Sequence, residues 1–376
     1  MNARENLITT LDHKEPEYLP IDLGSTNCTS ITRVAYNNLR EFLHLPVDED
    51  PIVTNRVMDS IYPKEDLLEH YKIDFRSVSV KPPLTSSTIE IPEDESFYDD
   101  YGIRWKKASY YYDAVERPLA DASVEDLKNV KWIDPYDPGL VEGLKKEVET
   151  LYKTTEWSLV ADIICDGPFE SGCMLRGYEN FLTDLHINRP FAEALMNKIT
   201  ETDIILLERF LDAVGDYVDV VAMGDDVGMQ TSTYVSPEMY REIIKPYDKR
   251  IFDLIHSKTK AKLFYHSCGS VYDIIPDFIE IGVDILSPVQ TTAAKMELST
   301  LKKEFGNDIV FWGGGVDIQE FLPMASIQEF EDHVRKNVDT MMPGGGYVFF
   351  ATHNLQADTA PEKIDKVYET LHKFYR

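Results

Sequence analysis

Residues 261–290 read AKLFYHSCGSVYDIIPDFIEIGVDILSPVQ and hold a complete strand–helix–strand unit. The apolar run AKLFYH (261–266) predicts a buried strand, and VDILSP (283–288) predicts the next one. Between them, VYDIIPDFIEI has helical spacing and stops at Gly282. Two strands joined through a helix pair in parallel, so the fold must contain a parallel sheet covered by helices.

The same alternation recurs along the chain and sets the number of strands. Further strands are predicted at 18–23, 75–80, 158–164, 218–223, 308–314 and 346–352. Eight strands favour an α/β fold of the closed (β/α)8 TIM-barrel type, with a doubly wound open sheet as the alternative. No GxGxxG follows an early strand, so the open sheet lacks the usual dinucleotide-binding signature.

Local signals mark helix starts and one interruption of the barrel. Ser236 and Pro237 offer an N-cap and a first-turn proline, and the helical pattern over 179–214 should break at Pro190. Residues 87–135 are aromatic and rich in turn formers, which predicts a small antiparallel insertion. We expect residues 1–376 to form a single barrel domain with this insertion and an N-terminal extension.

Composition excludes several classes of partner. The formal net charge is −28, so neither nucleic acid nor an anionic membrane surface is an expected partner. No apolar run reaches the roughly 20 residues that span a bilayer, and the first residues lack an apolar signal-peptide core. The four cysteines show no paired framework, which indicates reduced thiols. We therefore expect a cytoplasmic protein.

Polar residues follow six of the predicted strands, at the end of a barrel where active sites form. The sharpest group is His266-Ser267-Cys268, because side chains two apart at a strand end point the same way and an imidazole and a thiolate can share a zinc ion. His353 and Glu170 are the best candidates to complete that site. The plain alternative is that the H-x-C spacing is chance and that Cys268 is a small buried residue.

The other candidates each have a structural alternative. Asp225 and Asp226 either orient a ligand or cap a helix, and Glu170 alone would be read as a helix N-cap. The glycines at 313–315 either admit a ligand close to the backbone or form a tight turn, and the turn is favoured. Cys28 and Thr29 follow the first strand and could line the pocket. Three further polar residues sit at strand ends: Gln230, Gln290 and Asn354.

Four stretches together resemble the uroporphyrinogen decarboxylase superfamily. They begin at GDDVGMQTSTYVSPEMYREIIKPYDKRIFDLIH (224–256), continue through HSCG to the Gly282-x-Asp284-x-x-x-Pro288-x-Gln290 string, and include FWGGGVDIQEFLP (311–323) and PGGGYVFFATHNLQADTAPEKI (343–364). The resemblance covers nearly the whole chain and implies a (β/α)8 barrel. The opening PEYLPIDLGSTNCTSI lacks the arginine-rich loop with which the decarboxylases bind carboxylates.

The resemblance points instead to the zinc- and corrinoid-dependent methyltransferase branch, which includes O-demethylase and methylcobalamin:coenzyme M enzymes. It maps zinc onto His266 and Cys268, and His353 stands where the coenzyme M enzymes carry a late cysteine. Glu170 is then an exchangeable fourth ligand. Catalytic roles fall on Glu170, Asp226 and Gln290, substrate contacts on Asp225, Gln230 and Asn354, and cofactor contacts on Gly314 and Gly315.

The resulting expectation is a methyltransferase of the O-demethylase type. It moves a methyl group between a small substrate, a methoxylated aromatic, and the cobalt of a corrinoid carried by a separate protein. The methoxylated substrate rests on His353, because imidazole in place of thiolate leaves zinc more positive and better able to polarise an ether oxygen. A corrinoid-independent decarboxylase or lyase and a non-catalytic ligand-binding relative are the alternatives, and a homodimer is left open.

Overall fold

A computed structural model describes residues 1–128, 130 and 132–376 of the chain. Its strands are β1 (Ile31–Thr32), β2 (Ile52–Asn55), β3 (Ser60–Tyr62), β4 (Phe75–Val78), β5 (Ile89–Ile91), β6 (Ser96–Tyr98), β7 (Arg104–Ala108), β8 (Tyr111–Glu116), β9 (Ser158–Ala161), β10 (Val220–Gly224), β11 (Lys262–His266), β12 (Ile285–Ser287), β13 (Val310–Trp312) and β14 (Tyr347–Val348).

The helices connect these strands and cover the parallel sheet. They are α1 (Ala3–Leu11), α2 (Arg33–Phe42), α3 (Glu65–His70), α4 (Leu144–Thr154), α5 (Pro168–Arg176), α6 (Tyr178–Ile187), α7 (Arg189–Val214), α8 (Pro237–Met239), α9 (Lys245–Lys258), α10 (Ile275–Glu280), α11 (Leu298–Phe305), α12 (Phe321–Met324), α13 (Ile327–Met341) and α14 (Pro361–Tyr375). A π-helical turn, Tyr240–Ile244, joins α8 to α9.

Seven strands form one parallel sheet in the order β14-β13-β12-β11-β10-β9-β4. Strands β10, β12 and β13 are buried along their whole length, as expected where helices cover one face and side chains fill the other. The register is continuous, with Val221 opposite Leu263 and Phe264 opposite Ile285. This sheet confirms the predicted TIM-barrel-like α/β fold.

The predicted strand 18–23 closes the ring through one bridge residue instead of a full strand. Ile21 pairs in parallel with Phe349, which directly follows β14. On its other side the carbonyl of Ile21 accepts the N–H of Asp74 at 3.2 Å, next to β4. Asp22 then accepts a hydrogen bond from Nε1 of Trp312 at 2.9 Å. The segment therefore joins the last and first strands of the sheet.

Local signals set the helix boundaries as predicted. The hydroxyl of Ser236 accepts the N–H of Met239, and Pro237 occupies the first turn. The long helical pattern breaks at Asn188, just before Pro190. Several strands end earlier than predicted, as in β9, which stops at Ala161, next to Asp162, whose carboxylate accepts the N–H of Ile163.

Antiparallel strands cover the carboxyl end of the barrel. Strands β5 to β8 form a four-stranded sheet in sequence order, within the predicted insertion at 87–135; residues 129 and 131 of that range lie outside the described residues. A second small sheet, β1-β3-β2, was not predicted. No helix in the described part of the chain is long and apolar enough to cross a membrane.

We predict that Trp312→Phe lowers the free energy of unfolding by about 1–3 kcal/mol, because it removes a donor from the buried carboxyl group of Asp22. Burial raises the pKa of Asp22 to about 6. Urea unfolding at neutral pH measures the effect. Because the change also removes ring volume, a double-mutant cycle with Asp22→Ala is needed to isolate the free energy of the hydrogen bond. A coupling energy near zero would show that closure of the barrel does not depend on this bond.

A second prediction concerns Asp162, whose Oδ1 accepts the N–H of Asn27 at 3.0 Å and so anchors the segment that carries Cys28. Burial raises the pKa of Asp162 from 3.8 to about 6. The folded state therefore binds this proton more tightly than the unfolded state, and the stability that it contributes is lost as pH rises from about 4 through 6.

Asp162→Asn keeps the shape and removes that titration. Relative to wild type, the variant should gain about 2–3 kcal/mol between pH 4 and pH 7. Urea unfolding of both proteins at pH 4, 5, 6 and 7 measures the difference. A wild-type-to-variant difference that stays constant across this range contradicts the prediction.

Candidate active site

A cavity of about 500 Å³ opens at the carboxyl ends of the barrel strands. Barrel residues form its floor, and residues of the insertion and of α5 and α7 form its walls. The lining includes Cys28, Arg56, Phe97, Asp99, Tyr101, Trp105, Trp132, Asp166, Glu170, Met174, Ile199, Thr202, Asp203, Gly224, Asp226, His266 and His353.

His266 and Cys268 lie together at the end of β11, as their spacing predicts. Nε2 of His266 lies 3.4 Å from Sγ of Cys268 and 3.9 Å from a carboxylate oxygen of Asp226. Ser267, between them, turns the other way, and its hydroxyl accepts the N–H of Val227. The backbone N–H of Cys268 donates to Asp226 at 2.7 Å, which fixes the turn.

Burial controls the protonation of this pair. It lowers the pKa of His266 to about 4, so the imidazole is neutral near pH 7, as a metal ligand must be. Burial and then the nearby Asp226 carboxylate raise the pKa of the Cys268 thiol well above its usual range. The thiol therefore needs a bound cation to ionise in place, and a metal ion would supply it.

His266 belongs to two groups of metal-ligating side chains. One consists of Cys28, His266 and His353, and the other of Asp226, His266 and Cys268; within each group the ligand atoms lie within 4.8 Å of one another. Among the described residues neither group contains Glu170. His266 is common to both groups, whereas Cys268 and His353 lie in different groups, so the predicted ligand set stays a prediction.

These donors fit a zinc ion. Imidazole nitrogen and thiolate sulfur are the ligands that zinc prefers, and both groups combine them. Nδ1 of His266 is buried and has no hydrogen-bond partner among the described residues, so part of the ring's bonding capacity is unused. The side chain of His353 is held by Asn354, whose own amide donates to Ser60 at 3.0 Å.

Glu170 lies in the first turn of α5, beside the metal-ligating groups. Its Oε2 accepts the N–H of Asp226 at 3.1 Å. Burial, followed by the charges of Asp226 and Asp166, raises the pKa of Glu170 well above its usual range. The side chain lines the cavity, so this carboxyl group is in reach of a bound ligand.

The two neighbouring aspartates after β10 have different surroundings. Asp226 lines the cavity, whereas Asp225 is fully buried and accepts the N–H groups of Phe169 and Glu170 at 3.0 and 2.6 Å. Gly167 allows this contact, since a Cβ there would lie 2.3 Å from Asp225. Asp225 thus caps α5, and its predicted substrate contact stays a prediction.

Gln290 and Gln230 support the turn after Cys268. Oε1 of Gln290 accepts the N–H of Gly269 at 2.8 Å, and its amide donates to Gln230 at 2.8 Å. Gln230 in turn donates to the carbonyl of Thr292. Both side chains are outside the residues that line the cavity, so the structure places them behind the metal-ligating groups. Their catalytic and substrate roles stay predictions.

Gly314 and Gly315 also lie outside the cavity lining. A Cβ on Gly315 would lie 2.2 Å from the ring of Phe349, so this position needs glycine for close packing. Asn337 of α13 donates to the carbonyls of both glycines. These contacts match the tight-turn interpretation, and cofactor contact at the two glycines stays a prediction.

Sequence reasoning missed two features of the site. Cys28 was placed at the pocket but not named as a metal ligand, although it lies with His266 and His353. Asp203 of α7 lines the cavity and was not identified at all, because its helical sequence gives no sign of which face points inward.

Comparisons with known proteins agree with this architecture. The profile of the family described as uroporphyrinogen decarboxylase (URO-D) matches residues 109–374. A solved structure titled "methyltransferase from Methanosarcina mazei" is 16% identical, is covered over 100% of both chains and has a TM-score of 0.65, which shows a shared fold. A GH113 β-1,4-mannanase is 8% identical over 60% of this chain and 92% of its own, with a TM-score of 0.31.

No curated protein sequence matches the chain. The profile match covers more than two thirds of the chain, including both metal-ligating histidines and all of β9 to β14. The matched region and the barrel lead to one conclusion: this chain belongs to the uroporphyrinogen decarboxylase family.

Proposed function

We propose that this protein is a zinc-dependent methyltransferase that moves a methyl group from a small methoxylated donor to the cobalt of a separate corrinoid protein. The observation that carries the proposal is the set of imidazole and thiol ligands around His266, on the floor of a cavity of about 500 Å³. The full-length structural likeness to a methyltransferase supports it as a shared fold.

His266 would hold the metal together with either Cys28 and His353 or Asp226 and Cys268, and each group supplies one thiolate. The predicted set of His266, Cys268 and His353 draws on both groups. A zinc ion bound there supplies Lewis acidity, which polarises an ether oxygen and stabilises the oxygen as the methyl group departs. Asp226 holds the Cys268 backbone, and Asn354 orients the ring of His353, so both residues position ligands.

Glu170 is the residue that this site provides for proton transfer. Oε2 accepts the Asp226 N–H, which leaves Oε1 to carry a proton, and burial raises the pKa of this carboxyl group well above its usual range. In the proposed reaction Glu170 gives this proton to the oxygen that loses its methyl group. Its predicted role as an exchangeable metal ligand is the alternative within the same site.

The charge of the cavity disfavours decarboxylation of a polycarboxylate. Five carboxyl groups line it: Asp99, Asp166, Glu170, Asp203 and Asp226. Arg56 also lines it, but its guanidinium forms an ion pair with Glu90. A substrate with several carboxylates would therefore meet acidic groups and find no unpaired arginine among the described lining residues.

We predict about one zinc per chain in the purified protein. Cys268→Ser should weaken zinc binding by more than about 100-fold, the upper range for loss of an outer-shell partner. Cys165→Ser is the matched control, since Cys165 lies near the same barrel end but in neither metal-ligating group of the described residues. Elemental analysis and competition with a chelator measure binding, and a zinc-free wild-type protein at neutral pH contradicts the prediction.

The reaction is tested with a substrate panel and excess Co(I) corrinoid protein. The panel contains methoxybenzenes and methylated amines, and simple thiols are tested with methylcobalamin. We expect demethylation of a methoxybenzene only when the corrinoid protein is present. His353→Cys should lower this rate while zinc stays bound, because a second thiolate reduces the positive charge of the site. Rapid thiol methylation without ether demethylation, or turnover without any corrinoid, would refute the proposal.

A further inference from the structure

Asp203 is a buried carboxyl group that faces the cavity without a partner. It lies on α7 with 2% of its surface exposed, and Oδ2 has no hydrogen-bond partner among the described residues. The neighbouring Thr202 and Ile199 line the cavity beside it. Burying a carboxyl oxygen without a hydrogen-bond donor costs free energy. We therefore expect a ligand to supply the missing donor.

A second carboxyl group lies close by. Asp166, which follows β9, also lines the cavity, and its charge together with burial raises the pKa of Asp203 well above its usual range. Asp166 itself is exposed in the cavity, so its carboxylate is open to solvent and to a ligand. The structure gives neither carboxylate a hydrogen bond or ion pair within the described residues. A buried carboxyl group and an exposed one that line the same cavity favour a positively charged ligand, beside which both can ionise.

Aromatic rings surround the same part of the cavity. Phe97, Tyr101, Trp105 and Trp132 line it. The guanidinium of Arg56 already lies 3.6 Å from the ring centre of Phe97, and Nζ of Lys198 lies 5.8 Å from that of Trp132, so Tyr101 and Trp105 are the rings left for a ligand. Burial and then the charge of Asp203 raise the pKa of Tyr101. Nε1 of Trp105 donates to Asp99 at 2.8 Å, and Asp99 also accepts backbone N–H groups, so that carboxylate is already occupied. Aromatic faces next to unpaired carboxylates are the surroundings in which proteins hold organic ammonium groups.

A metal ion is the other cation to consider at this place. In the described part of the chain, the groups of three metal-ligating side chains are the two that contain His266, and neither includes Asp166 or Asp203. Two carboxylates and several rings offer too few oxygen ligands for a hard cation, which takes six or more. An ammonium group needs only one or two acceptors and gains from the rings.

We propose that Asp203 and Asp166 form a binding subsite for an ammonium group, and that the methyl donor carries this group at the end opposite its methoxy oxygen. That the methyl donor carries the ammonium group rests on the proposed function, whereas the subsite itself does not. The donor is then an aromatic ether with a cationic side arm, held at one end by the carboxylates and at the other by the metal-ligating groups.

Calorimetric titration with two nearly isosteric probes tests the subsite without turnover. At pH 7 the probe 4-methoxybenzylamine is a cation and 4-methoxybenzyl alcohol is neutral. The full-length protein as purified should bind the amine about tenfold or more tightly than the alcohol, the size expected for one charge-assisted contact. Asp203→Asn should bring the two affinities together, and Asp166→Asn should narrow the gap.

Glu201→Gln is the matched control, because it removes one carboxylate from an exposed position on the same helix. It should leave the amine-to-alcohol ratio unchanged, and thermal melting of each variant verifies folding. Equal affinities in wild type, or an unchanged ratio in both aspartate variants, would overturn the subsite. Since no corrinoid protein is present, amine binding that passes this test while ether demethylation fails would refute the proposed reaction alone.

Discussion

Closure of the barrel by the segment at 18–23 is the constraint on which the site depends. Ile21 is held between Phe349 and Asp74, and Asp22 is tied to Trp312 across the barrel. Because that segment runs directly into Cys28, closure brings this thiol to the two imidazoles that other strands supply. An open sheet would leave its first and last strands at opposite edges and could not bring Cys28 to His353.

Burial is the largest cause of the pKa shifts of His266 and Cys268. It keeps His266 neutral and the Cys268 thiol protonated, so both ligands respond to an arriving cation and not to bulk pH. The group of Cys28 with two histidines holds one thiol, so in the proposed zinc site one thiolate would leave the metal a net positive charge. In the proposed reaction, that charge would activate a neutral ether oxygen.

The insertion forms walls of the cavity, whereas the candidate metal ligands lie on its floor. Its strands bring Phe97, Tyr101 and Trp105 over the barrel mouth, where they meet Asp203 of α7. Loops and insertions at this end of a barrel can vary without disturbing the strands, which is why one fold serves many substrates. The family match includes His266, Cys268 and His353, whereas Cys28, Phe97, Tyr101 and Trp105 lie before it.

The sequence by itself determined the features that depend on short separations. The strand–helix–strand pattern, the Ser236 cap and the His266–Cys268 pair are local, because two residues at a strand end share a face. Only tertiary structure decided that Asp226 faces the cavity while Asp225 caps α5, that Gly315 packs on Phe349, and that Asp203 and Asp166 line the same cavity. These outcomes depend on how distant strands and helices pack, and periodicity along one element carries no information about which partner its faces meet.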